Sequence, residues 1–438
     1  MSRTFVLQVG RSDTFSTSTL LIDESLPNAL SRLVEKRELP YGVTLYARVK
    51  CIDEDTGEGD WSTVISFKVR NPAKIIGVCL DSRVEPGTLN WIDEDGNMIS
   101  NFEYQNHPTF YNTNMVTLVE AHNSVMTRIP RFYIRTALSG PIGSFAEGKK
   151  CWWLSNIESD GFRPHPAFKR SVRMANEKYL LADYIYIGTY LGKDDITESN
   201  TGMIASKVNS TPLTNLSLDT YRARCNAINT SNNTSGYHLF DIWDASAVKY
   251  LGLIAMGGGN SEEFWGTNSS KATDLLTGNT DSKLVLQGSV TTPVVWIDDM
   301  WAYKPYYVDK ISTNGILQLI SPMDGTTLLE FGSSDITKYM GSSELEYPNY
   351  FNDVMDCPIL IGDDVHDLME LFLPKTYSSD YSKCAFTDHG YISDGVKVAK
   401  MGGTPKDANT TAGLFNLLIN ESGTSTSSDI CARLASYA

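Results

Sequence analysis

Apolar and polar residues alternate with a period of two through most of the first 70 positions. The runs F-V-L-Q-V, T-L-L-I-D, V-T-L-Y-A-R-V-K-C-I and S-T-V-I-S-F-K-V, separated by polar turns such as D-E-D-T-G-E-G-D, predict successive strands. In the third run Val43, Leu45, Ala47 and Val49 share a face directed at a core, and Thr44, Tyr46, Arg48 and Lys50 share the other. Asn71-Pro72 closes this segment, because the residue before a proline is held extended, and I-I-G-V-C-L then opens a new strand. The pattern divides the chain into residues 1–72 and 73–438.

The second part keeps the short-strand pattern. Between Val116 and Phe168 two apolar runs end in proline-aromatic turns, I-P-R-F-Y and R-P-H-P-A-F, with Gly140, Gly143 and the C-W-W-L-S-N run between them. Helical spacing shows between Gly236 and Gly266, where Phe240, Trp243, Ala247, Tyr250 and Leu251 fall on one side of a helix. Further strands are predicted at Y-I-Y-I-G-T-Y, P-V-V-W-I-D-D-M-W and A-G-L-F-N-L-L-I-N. From about residue 310 to 390 the strands G-I-L-Q-L-I and T-T-L-L-E-F and the segment Y-P-N-Y-F-N-D-V-M-D suggest an insertion, and A-R-L-A-S-Y at the end is expected to close the sheet beside I-I-G-V-C-L. The fold class predicted is mixed, β-rich α+β.

Composition sharpens this picture. Aromatic residues make up 11% and charged residues only 20%, which favours strands and turn-rich loops over long helices. A formal charge of -15 disfavours phosphate backbones, so no nucleic-acid partner is expected. The seven cysteines are widely spaced without C-x-x-C, which predicts reduced, mostly buried thiols and assembly in a reducing cytoplasm. No stretch of 18 apolar residues occurs and the N-terminal M-S-R-T-F-V-L-Q-V-G lacks a signal-peptide pattern, so neither secretion by a standard signal nor membrane insertion is expected.

Candidate chemistry is sparse. The six histidines form no H-x-x-x-H or H-E-x-x-H, and no G-x-S-x-G elbow, P-loop or dinucleotide fingerprint occurs. Gly257-Gly258-Gly259-Asn260 fits a turn at a helix C-terminus better than a phosphate loop. The pairs Asp298-Asp299 and Asp363-Asp364 each predict one buried and one solvated acid, because adjacent strand residues face opposite ways; calcium is the less favoured reading. His165 is read as a turn histidine bonded to a backbone carbonyl, and Trp152, Trp153, Trp296 and Trp301 as core. No metal or cofactor is expected, and no enzyme activity.

Two resemblances bear on these segments. L-P-Y-G-V-T-L-Y-A-R-V followed by D-W-S-T-V-I-S-F-K-V is similar to the closing half of a fibronectin type III module, which implies a partial β-sandwich over residues 1–72 without its opening strands. The I-P-R-F-Y strand, the H-P-A-F turn, Y-I-Y-I-G-T-Y, the 236–266 helix, P-V-V-W-I-D-D-M-W and the final A-R-L resemble, in order, the C-type-lectin-like domains of phage tail fibres and receptor-binding tips of the major tropism determinant group. Cys431 stands where that family usually has glycine. The resemblance implies a virion tail-fibre or receptor-binding tip protein, assembled in the host cytoplasm, most often as a homotrimer. Its partners would be other virion proteins and a host-cell receptor, either a glycan or an outer-membrane protein.

Candidate receptor-binding residues are Tyr303, Tyr306 and Tyr307 after the W-I-D-D-M-W strand, Tyr347, Tyr350 and Phe351 in the insertion, and Asn416, Asn420 and Ser422 in the last hairpin. A non-adhesive virion decoration or fibre-anchoring protein is the main alternative. The formylglycine-generating enzymes share the lectin-like fold and form a second alternative, but their close cysteine pair has no counterpart in Cys384 and Cys431.

Overall fold

A computed structural model describes residues 3–10, 12–15, 20–27, 44–53, 55–68, 73–170, 180–195, 202–259, 277, 297–298, 304–314, 316–323, 326–329, 349–361, 363–378, 380–393, 395–402 and 413–437. The chain forms two compact units, Met1–Ala73 and Lys74–Ala438.

Among the described residues the first unit is a five-stranded antiparallel sheet. Strand Arg3–Gly10 pairs with Leu20–Pro27 on one side and Thr44–Asp53 on the other, and Thr44–Asp53 also pairs with Gly57–Glu58 and Ile65–Lys68. Val9, Ile22, Leu45 and Ala47 make its core. The alternation thus holds at Leu45 and Ala47 but stops at Val49, which is 39% exposed. Strand Ile65–Lys68 ends opposite Ala47, so Val49 lies beyond its cover and meets the Ser62 turn instead. On the other face the Arg48 guanidinium lies over the rings of Phe15 and Trp61.

The second unit is β-rich and is organised round one helix. Ile242–Met256 is buried at every residue, its mainly apolar circumference broken by Asp244, Ser246 and Lys249. Its polar edges and neighbours are bonded to the surrounding sheets. Trp243 Nε1 donates to the Ile320 carbonyl (2.9 Å), Tyr250 Oη to the Trp153 carbonyl (2.9 Å), and Trp91 Nε1 to the Ile254 carbonyl (2.7 Å). Asp241 caps the N-terminus in a capping box with Asp244. Gly257 ends the helix at φ +60°, its N–H bonded to the Leu253 carbonyl, and a Cβ there would lie 2.4 Å from the Trp91 ring. The glycine run is therefore a helix stop at its first residue.

Three larger sheets surround this helix. The first has the order Arg163–Pro164, Tyr133–Ala137, Lys150–Ser155, Ile75–Asp81, Thr88–Ile92. The second runs His238–Leu239, Leu434–Tyr437, Tyr184–Gly188, Ser124–Pro130, Asn114–Leu118. The terminal strand therefore does not pair beside Ile75–Asp81, contrary to expectation. Both edges of that strand are already filled, by Lys150–Ser155 and Thr88–Ile92, and Leu434–Tyr437 closes the other sheet.

The third sheet has eight strands and contains most of the described part of the 310–390 segment. Strands Tyr306–Asn314, Leu317–Ile320, Asn349–Val354, Pro374–Ser378 and Phe386–Ile392 share it with Val396–Met401 and Leu417–Glu421. Leu319, Phe351, Phe372 and Phe386 join the same core as the central helix, so the segment is built into the domain rather than appended to it. Trp152 and Trp153 are core as predicted, Trp296 and Trp301 lie outside the described residues, and Cys431 is accommodated with its Sγ 3.3 Å from the Pro305 carbonyl.

Candidate functional site

Most of the residues singled out for receptor contact are buried or lie elsewhere. Tyr303 and Tyr347 fall outside the described residues, as does the Tyr350 side chain, whose backbone pairs with Ser378. Tyr306, Tyr307, Phe351 and Asn416 are fully buried, so they are core residues rather than contact residues. Adjacent Tyr306 and Tyr307 point to opposite faces of a strand, but both faces are covered. Tyr306 packs edge-on to Phe240 (5.8 Å), and Tyr307 packs on Tyr221 (6.0 Å) of helix Leu218–Asn232. Phe351 stacks on Phe386 at 4.7 Å. Asn420 is half-buried and Ser422 exposed, its hydroxyl 2.9 Å from that of Thr424. No common site forms from these positions among the described residues.

Two buried polar clusters have the residue types of catalytic sites. In the first, His165 is fully buried, its Nδ1 accepting from the Ala167 amide (3.2 Å) and its Nε2 3.1 Å from Ser246 Oγ. It sits in a turn, but the expected bond to a backbone carbonyl is replaced by one from an amide N–H and one with a serine hydroxyl. Ser246 Oγ bonds the Glu370 carbonyl, and the Glu370 carboxylate holds Arg163 and His366. His366 Nε2 lies 2.8 Å from Lys169 Nζ, and its Nδ1 lies between Glu370 (2.8 Å) and the Arg163 Nε–H (3.1 Å). Burial drives His165 down to about 3 and also lowers His366. Burial opposes ionisation of Glu370, but His366 and Arg163 outweigh it and hold the acid at about 2. Such a saturated, closed network ties the Leu368–Leu371 turn to the central helix and offers substrate no entry.

The second cluster, His238, Asp241 and Asp244, has ligand atoms close enough for a cation. Cations of the protein already occupy it. Arg170 bonds Asp241 (3.0 Å) and Asp244 (2.8 Å), and Lys310 reaches Asp241 at 2.8 Å. Asp364 of the Asp363-Asp364 pair likewise ion-pairs with buried Lys169. Burial raises the Cys79 thiol to about 11 and Cys151 to about 12, which makes both poor nucleophiles.

An open cleft of about 410 Å³ lies at the end of the second sheet, within the roughly 300–1,000 Å³ typical of small-ligand sites. It is built where the terminal strand meets the loop after helix Leu218–Asn232. Tyr186 and Ser436 are direct partners across the Tyr184–Gly188 and Leu434–Tyr437 strands and so share a face. Tyr237 is held from behind by Asn229, whose amide donates to the Tyr237 carbonyl (2.7 Å) and accepts from its N–H (2.9 Å). Tyr437 donates from Oη to the Ser235 carbonyl (3.1 Å), with Arg170 (5.4 Å) and His238 (5.6 Å) against its ring.

Glu120 sits at the rim on the turn between Asn114–Leu118 and Ser124–Pro130. Asn232 donates to its carbonyl (2.6 Å) and thereby fixes the turn to the helix end. Burial raises the Tyr237 hydroxyl well above the usual range, and the hydrogen-bonded Glu120 carboxylate adds to the rise. Tyr186 is raised too, by burial and with Glu120 contributing. Among the described residues lining the cleft, Glu120 alone is charged. The cleft is therefore lined by half-buried Tyr186 and Tyr437, by the hydroxyl residues Thr234, Ser235 and Ser436 and by one carboxylate, with Tyr237 buried at its wall.

All three tyrosines lie in motifs that the sequence presents as scaffold: Y-I-Y-I-G-T-Y, G-Y-H-L-F and A-R-L-A-S-Y. The only local signal is that Tyr184 and Tyr186 alternate onto one strand face. A scan against protein-family models finds no match for the chain, and a search of curated proteins finds none.

Proposed function

We propose that this chain is a virion adhesin, a tail-fibre or receptor-binding tip protein that attaches a phage to its host-cell surface, with the tyrosine-lined cleft as a contact site. The observation that carries the reading is the construction of that cleft. Asn229 holds Tyr237, Asn232 the Glu120 turn and Ser235 the Tyr437 hydroxyl, and fixed aromatic residues bind with little loss of conformational entropy. The ordered resemblance of the strand and turn motifs to fibre-tip domains agrees with it. The closed, internally satisfied polar clusters favour binding over catalysis.

One observation favours a second reading, a fibre-anchoring or decoration protein. The loop between Tyr133–Ala137 and Lys150–Ser155 exposes Leu138 (55%), Ile142 (94%) and Phe145 (39%), an apolar tip suited to another virion protein. The two readings separate in an adsorption assay. Purified chain added to host cells should block adsorption of the virus if it is the adhesin, and should leave adsorption unchanged if it only anchors or decorates.

A further inference from the structure

We infer that Cys79 and Cys151 are a redox modification site, closing into a cross-strand disulfide when the protein meets a small external disulfide. The two residues are direct partners across the antiparallel strands Ile75–Asp81 and Lys150–Ser155. Directly opposed residues in such a ladder have Cα atoms about 5.5 Å apart where the pair is hydrogen-bonded and about 4.5 Å where it is not, and both values fall within the roughly 4.4–6.8 Å that a disulfide spans. Opposed side chains project from one face of the sheet, and both cysteines belong to one buried cluster with Ile92, Ala146, Trp153 and Phe162. Among the described residues no other two cysteines are strand partners.

The surroundings suit the linked form. The next pair on the same face is Gly77 and Trp153, where the glycine makes room for the indole: a Cβ on Gly77 would lie 2.5 Å from the Trp153 ring. Ala146, from the loop that leads into Lys150–Ser155, packs in the same cluster, and the Cys151 thiol donates to the Lys149 carbonyl at 3.2 Å. Both cysteines are wholly shut off from solvent. Such a place penalises a thiolate, but a disulfide carries neither charge nor an S–H donor to satisfy.

In the exchange one cysteine thiolate attacks the external disulfide, forming a mixed disulfide and releasing one small thiol. The second cysteine thiolate then attacks the protein sulfur of that mixed disulfide and expels the second small thiol. Two protein thiols are oxidised, the external disulfide is reduced to two thiols, and the two cysteine protons end on those thiols. Burial keeps both cysteines protonated in the closed fold, so the exchange runs through local opening and is slow.

The test brings the full chain to equilibrium in glutathione buffers of graded oxidised-to-reduced ratio, with and without urea below the unfolding transition, which raises the open population. Remaining thiols are trapped by alkylation in acid-quenched, denatured samples, and digests are mapped by mass spectrometry. The expected result is a peptide pair joined through Cys79 and Cys151, lighter by two hydrogens and separated again by dithiothreitol. The oxidised protein should melt a few degrees higher, since the link closes a long loop of the unfolded chain. Cys151→Ala should lose both the link and the rise, and the wild-type map decides the point even where that variant fails to fold. No joined pair at any ratio, with or without urea, would overturn the inference, as would preferential linkage of either residue to another cysteine or to glutathione. Cell adhesion is not among the readouts, so the adhesin reading stands or falls separately.

Discussion

Gly236 and Tyr437 lie so close that a Cβ on the glycine would sit 2.4 Å from the Tyr437 carbonyl oxygen and 3.0 Å from Ser436 Oγ. The cleft loop and the terminal strand are thus fitted backbone to backbone. Gly236→Ala should push the loop off the strand, lowering stability by about 1–3 kcal/mol as overpacking does. Ligand or cell binding should fall with it. Thermal melting beside a binding assay checks both effects.

Asp241 is enclosed by Arg170 and Lys310, and burial opposes its ionisation, yet those two cations hold it well below the usual carboxylate range. Asp241→Ala takes the carboxylate from Lys310, leaves Arg170 with Asp244 alone and also removes the cap of the central helix. A loss of about 3–5 kcal/mol is expected in denaturant unfolding. Because Arg170 and Lys310 bond the Asp241 and Asp244 oxygens and His238 Nε2 faces Asp244, a chelator should leave the melting temperature unchanged.

Lys249 lies in the middle of the central helix, fully buried, and its Nζ has no hydrogen-bond partner among the described residues. Burial lowers it to about 7, with Asp388 opposing the shift. Between that value and its ordinary 10.5 the unfolded chain holds a proton that the folded chain lacks, so stability from this group rises with pH across the window. Below about 7 its full cost is present. Lys249→Met should therefore stabilise the protein by a few kcal/mol at pH 6, and by much less near pH 10, when unfolding is followed at both.

Glu370 behaves in the opposite sense. Its folded value of about 2 lies below the ordinary 4.5, so its contribution is present above pH 4.5 and is lost as pH falls toward 2. Acid titration of the wild type should show a destabilisation in that window which Glu370→Gln lacks. The variant should already be weaker at pH 7, because Arg163 loses a buried partner.

What the sequence discloses follows from how local each feature is. Leu45 and Ala47 alternate against one sheet, and the Ile242–Met256 helix carries continuous apolar spacing and a Gly257 stop, so both are visible in the chain itself. Helix Leu218–Asn232 is hard to see. Only Leu218, Tyr221, Cys225 and Ile228 mark its buried side, among Asn, Thr and Ser of weak helix propensity. Tyr306, Tyr307 and Phe351 mislead because a polar aromatic run gives no sign that both faces of its sheet are covered. The cleft is invisible because Glu120, Tyr186, Tyr237 and Tyr437 meet only when the last strand closes a sheet formed far earlier in the chain.

The measurement that tests the account most directly is binding of the labelled full chain to cells of the virus's host, with the wild type beside a variant carrying Glu120→Gln and Tyr186→Ala. The account predicts saturable binding by the wild type. It predicts a loss of at least about tenfold in the variant, at a melting temperature within a degree or two, since exposed or half-exposed changes shift stability little. Equal binding by the two folded proteins, or no binding by either, would contradict it.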